Sequence, residues 1–102
     1  MCRIFASQDP ASYEPLTRAL RINGHTTSLR LEAEFWAILD EIAAGEGLST
    51  PRFIGRLHQE VLERHGEVEN FASMLRVTCA LYLRIRHDRA MPARRAVEEI
   101  VT

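Results

Sequence analysis

A mainly α-helical domain carrying one short β ribbon is the fold class that three features of this 102-residue sequence predict. Residues 26–32, TTSLRLE, alternate polar and apolar with a period of two. From Glu32 onward the apolar spacing lengthens to the helical period, and Gly, Ser, Thr and Pro punctuate the apolar stretches at helix-boundary positions. The length allows one domain, with a core small enough that association with a second copy would add materially to the buried surface.

On the two-residue period of the strand, Thr27, Leu29 and Leu31 share the buried face, while Thr26, Ser28 and Arg30 share the exposed one. Two hydroxyls and a guanidinium in a row are the kind of hydrogen-bonding groups that read base edges in a major groove. The same row is equally the solvated outer face of an ordinary half-buried strand. Upstream, Asn23-Gly24 joins two strand-like runs, and both residues tolerate the positive φ that a type I′ turn requires. The sequence therefore predicts a hairpin whose first strand is Arg18 to Ile22. Leu20 and Ile22 lie on its apolar face, and Arg21 lies near Thr26 and Ser28 on the polar one. Residues 1–16, interrupted at Asp9-Pro10 and Pro15, read as an extended arm with Phe5 and Tyr13 as anchors.

Phe35, Trp36, Ile38, Leu39, Ile42 and Ala43 then recur at i, i+3, i+4 and i+7, which predicts an amphipathic helix over Ala33 to Ala44 ended by Gly45 and Gly47. Ser49-Thr50-Pro51 opens a second helix with a hydroxyl cap and a proline in the first turn. Its stripe is Phe53, Ile54, Leu57, Val61 and Leu62, and Gly66 closes it. Asn70 caps a third helix with Phe71, Met74, Leu75, Thr78, Leu81, Tyr82 and Ile85 as the buried line, stopping near His87 to Arg89. Ala93 to Val101 reads as a short fourth helix.

Hydrophobic residues make 46% of the chain and charged residues 26%, an ordinary globular composition, and the net charge of −1 supplies no global basic signal for nucleic acid. The charge is nonetheless uneven. Arg18, Arg21 and Arg30 fall in a stretch without acids, whereas Glu32 to Glu46 holds acids and no base. Every basic residue is Arg, which suits bidentate recognition. Cys2 and Cys79 make no disulfide framework, and no signal peptide or long apolar run is present, so the expectation is a soluble cytoplasmic protein. Cys79 falls on the apolar side of its helix as a buried small hydrophobe, and Trp36 beside Phe35 belongs to the core or to a dimer interface.

His58 and His65 share a helix face and can in principle meet His25 or His87, but no Cys or acid stands at ligand spacing, so no metal is predicted. The glycines never gather into a phosphate loop, and Asp40 and Glu41 diverge on a helix. The sequence thus predicts no catalytic residue, cofactor, small-molecule substrate or membrane partner.

One strand, a helix of about three turns, a glycine-containing turn and a second helix opened by a hydroxyl cap resemble the ribbon-helix-helix family of bacterial DNA-binding proteins, over about residues 26–65. The strings CRIF, TRALRINGHTTSLRLE, FWAILDEIA and NFASMLRV resemble more narrowly a proteobacterial subfamily of ribbon-helix-helix proteins, from Cys2 to about Leu83, some of which carry the label aryl-sulfate sulfotransferase. The missing phosphate loop gives that label no support.

The resemblance implies a ribbon-helix-helix homodimer with an N-terminal β arm or hairpin and one or two additional C-terminal helices. It divides the chain into an arm and first hairpin strand (1–25), a ribbon-helix-helix core (26–66) and a helical extension (67–102). It implies that one strand from each of two chains pairs into a ribbon that enters the major groove of double-stranded DNA, with Thr26, Ser28 and Arg30 on bases. Ser49 and Thr50 at the helix N-terminus, with Arg52 and Arg21, then fall to phosphates. The implied function is a sequence-specific transcriptional regulator, a repressor. Pro51 supplies no N–H where a donor would help, and an extra strand on each edge would make a four-stranded sheet too wide for simple groove entry. The net charge of −1, Pro51 and the extra strand all favour the alternative, a protein-interaction or dimerisation module that does not bind DNA.

Overall fold

The computed structural model describes residues 2–90, and in it a β hairpin lies over three helices. Strand β1 (Pro15–Ile22) pairs antiparallel with β2 (His25–Glu32), with Arg21 opposite Thr26, Ala19 opposite Ser28 and Thr17 opposite Arg30. Asn23 and Gly24 join them at φ of 50° and 84°, as a type I′ turn requires, so local chemistry fixes the register. The Ala33 N–H donates to the Glu14 carbonyl at 2.9 Å, which extends the ladder by one pair. That bond sets the parity. Odd-numbered residues of β2 bond to β1, and the backbone groups of Thr26, Ser28 and Arg30 point to the other edge. No strand covers that edge among the described residues.

Below the hairpin run α2 (Ala33–Gly45), α3 (Thr50–His65) and α4 (Phe71–Ala90). Helix α2 follows β2 without a loop and gives way to a turn in which Gly47 has φ of 71°. Ser49 caps α3, its Oγ accepting from the Arg52 N–H at 3.3 Å, and Gly66 ends it in the left-handed region. Helix α3 packs against β1, α4 packs against β2, and α2 touches both helices. Leu20, Ile22, Leu29 and Leu31 from the hairpin underside meet Trp36, Ile38 and Leu39 of α2, Ile54 of α3, and Leu75 and Cys79 of α4. Burying a side chain of this size contributes about 1.5–3 kcal/mol, so the apolar half of the strand alternation holds the ribbon to the helices.

The strand faces agree with the sequence expectation: Leu29 and Leu31 are buried, Thr27 is half-buried, and Thr26, Ser28 and Arg30 are exposed. Other expectations are corrected. The hairpin is longer, beginning at Pro15 on one side and His25 on the other. The N-terminal segment is not an extended arm but a helical turn α1 (Cys2–Ala6) followed by a 3-10 turn (Pro10–Tyr13), the latter capped by the Asp9 carboxylate. Phe5 and Tyr13 do not anchor it within the chain, since both side chains are largely exposed. On α4, Leu81 and Ile85 are exposed rather than buried, and Leu62 of α3 is exposed at the rim, whereas Cys79 is buried as expected. The expected helix over Ala93 to Val101 lies outside the described residues.

Candidate nucleic-acid interface

The upper face of the hairpin collects what the pleat turns away from the core: Thr17, Ala19 and Arg21 from β1, and Thr26, Ser28 and Arg30 from β2, all exposed. It carries two guanidiniums and three hydroxyls, and the one carboxylate of the same parity, Glu32, stands at its end, half-buried and paired with Arg76. Neither Arg21 nor Arg30 has an ion-pair partner among the described residues. The nearest acid in sequence, Glu32, is neutralised from the side. Arg76 Nε donates to its Oε1 at 2.8 Å, and that hydrogen bond holds the Glu32 carboxyl below its ordinary value.

Arg18 does not join this face. Sharing the parity of Leu20 and Ile22, it points beneath the sheet, where its guanidinium lies 4.5 Å over the Trp36 ring and donates to both oxygens of Asp40, at 2.9 and 3.1 Å. Of the three arginines in the acid-free stretch, Arg18, Arg21 and Arg30, only Arg21 and Arg30 therefore reach this face. Trp36 is held in turn, its Nε1–H donating to the Leu16 carbonyl at 2.9 Å.

Asp40 also fixes the start of α3, because the Thr50 hydroxyl donates to its Oδ1 at 2.6 Å. The Arg18 hydrogen bonds, supported by Thr50, keep the Asp40 carboxyl below its ordinary value, so a negative charge stands at the positive end of α3. The donors there are largely used. The Arg52 N–H goes to Ser49 Oγ, the Phe53 N–H goes to the Ser49 carbonyl, and Pro51 has none. The exposed side chain of Arg52 and the backbone N–H of Thr50 remain. The structure thus brings Arg21, Thr26, Ser28 and Arg30 onto one face, ties Thr50 to the hairpin underside through Asp40, and leaves Ser49 capping its own helix.

Thr17 and Ala19 join the face because β1 begins at Pro15, ahead of the Arg18 start that the sequence predicts. No local pattern marks Asp40 as the partner of either Arg18 or Thr50. His58 is occupied structurally: its Nδ1 accepts from the Asn23 amide at 3.0 Å, and its ring meets Phe71 edge-on at 5.0 Å. Among the described residues no three His, Cys, Asp or Glu side chains gather as a metal site, and no helix is long and apolar enough to cross a membrane. Cys79 donates its S–H to the Phe35 carbonyl at 3.6 Å, and burial pushes its thiol up to about 11.

A hairpin strand, two helices joined by a glycine turn and a third helix against the strand define the class of fold. The chain belongs to the ribbon-helix-helix domain family, whose model matches residues 15–83. That family has the fold of DNA-binding regulators and is regulatory rather than enzymatic, and nothing in the match supports the sulfotransferase label. Among solved structures, an uncharacterized protein from Bordetella pertussis Tohama I is 42% identical, over 91% of this chain and 74% of that one, with a TM-score of 0.85. No curated protein matches.

Proposed function

We propose that the protein is a sequence-specific DNA-binding transcriptional regulator, a repressor, that acts in the cytoplasm as a homodimer and offers its ribbon to the major groove. The carrying observation is the exposed hairpin face, with two guanidiniums that have no ion-pair partner among the described residues, three hydroxyls, and its one end carboxylate, Glu32, paired with Arg76. Arg30 takes a guanine edge, Thr26 and Ser28 make shorter base contacts, and Arg21 and Arg52 take phosphates, with Ser49 and Thr50 offering what donors α3 leaves free.

Dimerisation follows from the open edge of β2. An exposed strand of eight residues is a template for pairing, and a second β2 satisfies its free N–H and C=O groups. In a β1-β2-β2′-β1′ sheet the outer strands lie about 14 Å apart at the usual strand spacing, wider than a major groove of about 12 Å. The two central strands then enter the groove while β1 rides over its walls, which carries Arg21 toward phosphates.

A second reading, a protein-interaction module of the same fold, is favoured by one observation. The Asp40 carboxylate and the internal bonds of Ser49 and Thr50 occupy the α3 N-terminus that a phosphate needs. Selection of bound sequences from a random DNA library, followed by titration of the selected site at several salt concentrations, separates the two. A recovered motif with a steep salt slope supports the regulator; no enrichment, or binding indifferent to salt, rejects it.

A further inference from the structure

Helix α4 is apolar on two opposite sides. Its inner side sets Leu75, Cys79 and Tyr82 against the core. Half a turn away, Ser73, Val77, Ala80, Leu81 and Arg84 point outward within a sector of about 100°, taking roughly 3.6 residues per turn. All five are exposed, Val77 by 64% and Leu81 by 53%. A helix with one wet side normally places charge opposite its core, whereas the first half of this outer face carries none, and its charges, Arg84 and Asp88, both lie in the second half.

We propose that this outer face of α4 is an interface for a second copy of the chain, forming an antiparallel α4–α4′ seam beneath the joined β2 edges. The proposal rests on the reading above in one respect, that two copies pair along β2. Three features select this occupant. Helix α4 packs under β2 whereas α3 packs under β1, so its outer face belongs to the flank that carries the open strand edge. A two-fold axis that pairs β2 with β2′ antiparallel, normal to the sheet, also runs the helices of the layer below antiparallel. The face is self-complementary as well: Val77 and Leu81 project while Ser73 and Ala80 are small, which lets two axes approach to the usual 8–10 Å. A lone helix seam falls short of the roughly 800 Å² per partner of a standard interface, and joined to the strand edge it becomes one continuous surface.

The test is sedimentation of the full chain across a concentration series, for the parent and for Val77→Glu combined with Leu81→Glu. It is paired with short bis-maleimide crosslinking of Ala80→Cys in a Cys2→Ser background, with Glu63→Cys on α3 as the control. The expected result is a parental dimer, a dimer dissociation constant raised at least about tenfold in the double variant, and crosslinking at position 80 but not at 63. A double variant that dimerises like the parent, with no crosslink at 80, overturns the α4 seam while leaving strand pairing intact. A parent that stays monomeric overturns the dimer reading and the seam with it. Should the double variant unfold, the crosslink alone decides, since it reads the otherwise native chain.

Discussion

Arg30 and Arg18 carry the same group on neighbouring strands, and the pleat gives them opposite work. Arg30 faces solvent with no partner among the described residues, so Arg30→Ala should leave the thermal midpoint nearly unchanged. It should weaken binding to the selected DNA site by about 1–3 kcal/mol and relax preference at one base pair per half-site. Arg18→Ala should do the reverse, costing about 1–2 kcal/mol of stability through the lost ring stack and the half-exposed ion pair, as chemical denaturation will report. Equal stability losses in the two variants, or unchanged DNA affinity in Arg30→Ala, would mean the faces are assigned wrongly. Asp40 adds a pH dependence of known sign. Its carboxyl is held below the ordinary 3.8 by Arg18 and then Thr50, so its contribution is full above about pH 4 and is lost as pH falls through the lower folded value. Asp40→Asn should therefore lower stability at neutral pH and reduce the further loss between pH 4 and pH 2. Parallel stability curves for parent and variant over that interval would contradict this.

At the scale of elements, what could be read in advance was whatever neighbours in sequence decide. Asn23-Gly24 named the turn, the two-residue alternation named the faces of β2, and Ser49, Pro51 and Gly66 named the ends of α3, because each acts on backbone within a few residues. Long-range pairings stayed hidden. Arg18 followed the parity of Leu20 and Ile22, which was a usable signal, but nothing near it names Asp40 or Thr50 as partners. Helix α4 defeats periodicity for a different reason: a helix apolar on more than one side has no single phase, so the sequence places Leu81 and Ile85 inward whereas both are exposed. The ribbon itself is held by its underside. Leu29→Ala removes a buried anchor that meets the helices and should destabilise the fold by roughly 2–5 kcal/mol, measured by denaturant titration. A loss under about 1 kcal/mol would show that the site collapses around the gap and that the hairpin leans on the helices less than the packing indicates.

The molecule as a whole carries a net charge of −1, so any affinity for DNA must come from where its arginines stand rather than from their number. In a two-fold dimer the ribbon face repeats, and Arg21 and Arg52 of both protomers supply four candidate phosphate contacts while the Asp40 carboxylates work against them. Counterion release converts this arrangement into a measurable quantity: the logarithm of the binding constant should fall against the logarithm of salt with a slope of about −0.9 for each phosphate neutralised. Arg21→Ala, present twice in the dimer, should therefore flatten that slope by about 2 and weaken binding to selected and unrelated duplexes alike. Arg30→Ala should instead shrink the gap between selected and unrelated duplexes. The two profiles should differ because the proposed docking sets Arg21 over the groove wall and aims Arg30 at the groove floor. If Arg21→Ala changes discrimination without touching the slope, then β1 lies in the groove beside β2, and a single chain's hairpin, rather than the paired β2 strands of a dimer, is the unit that reads DNA.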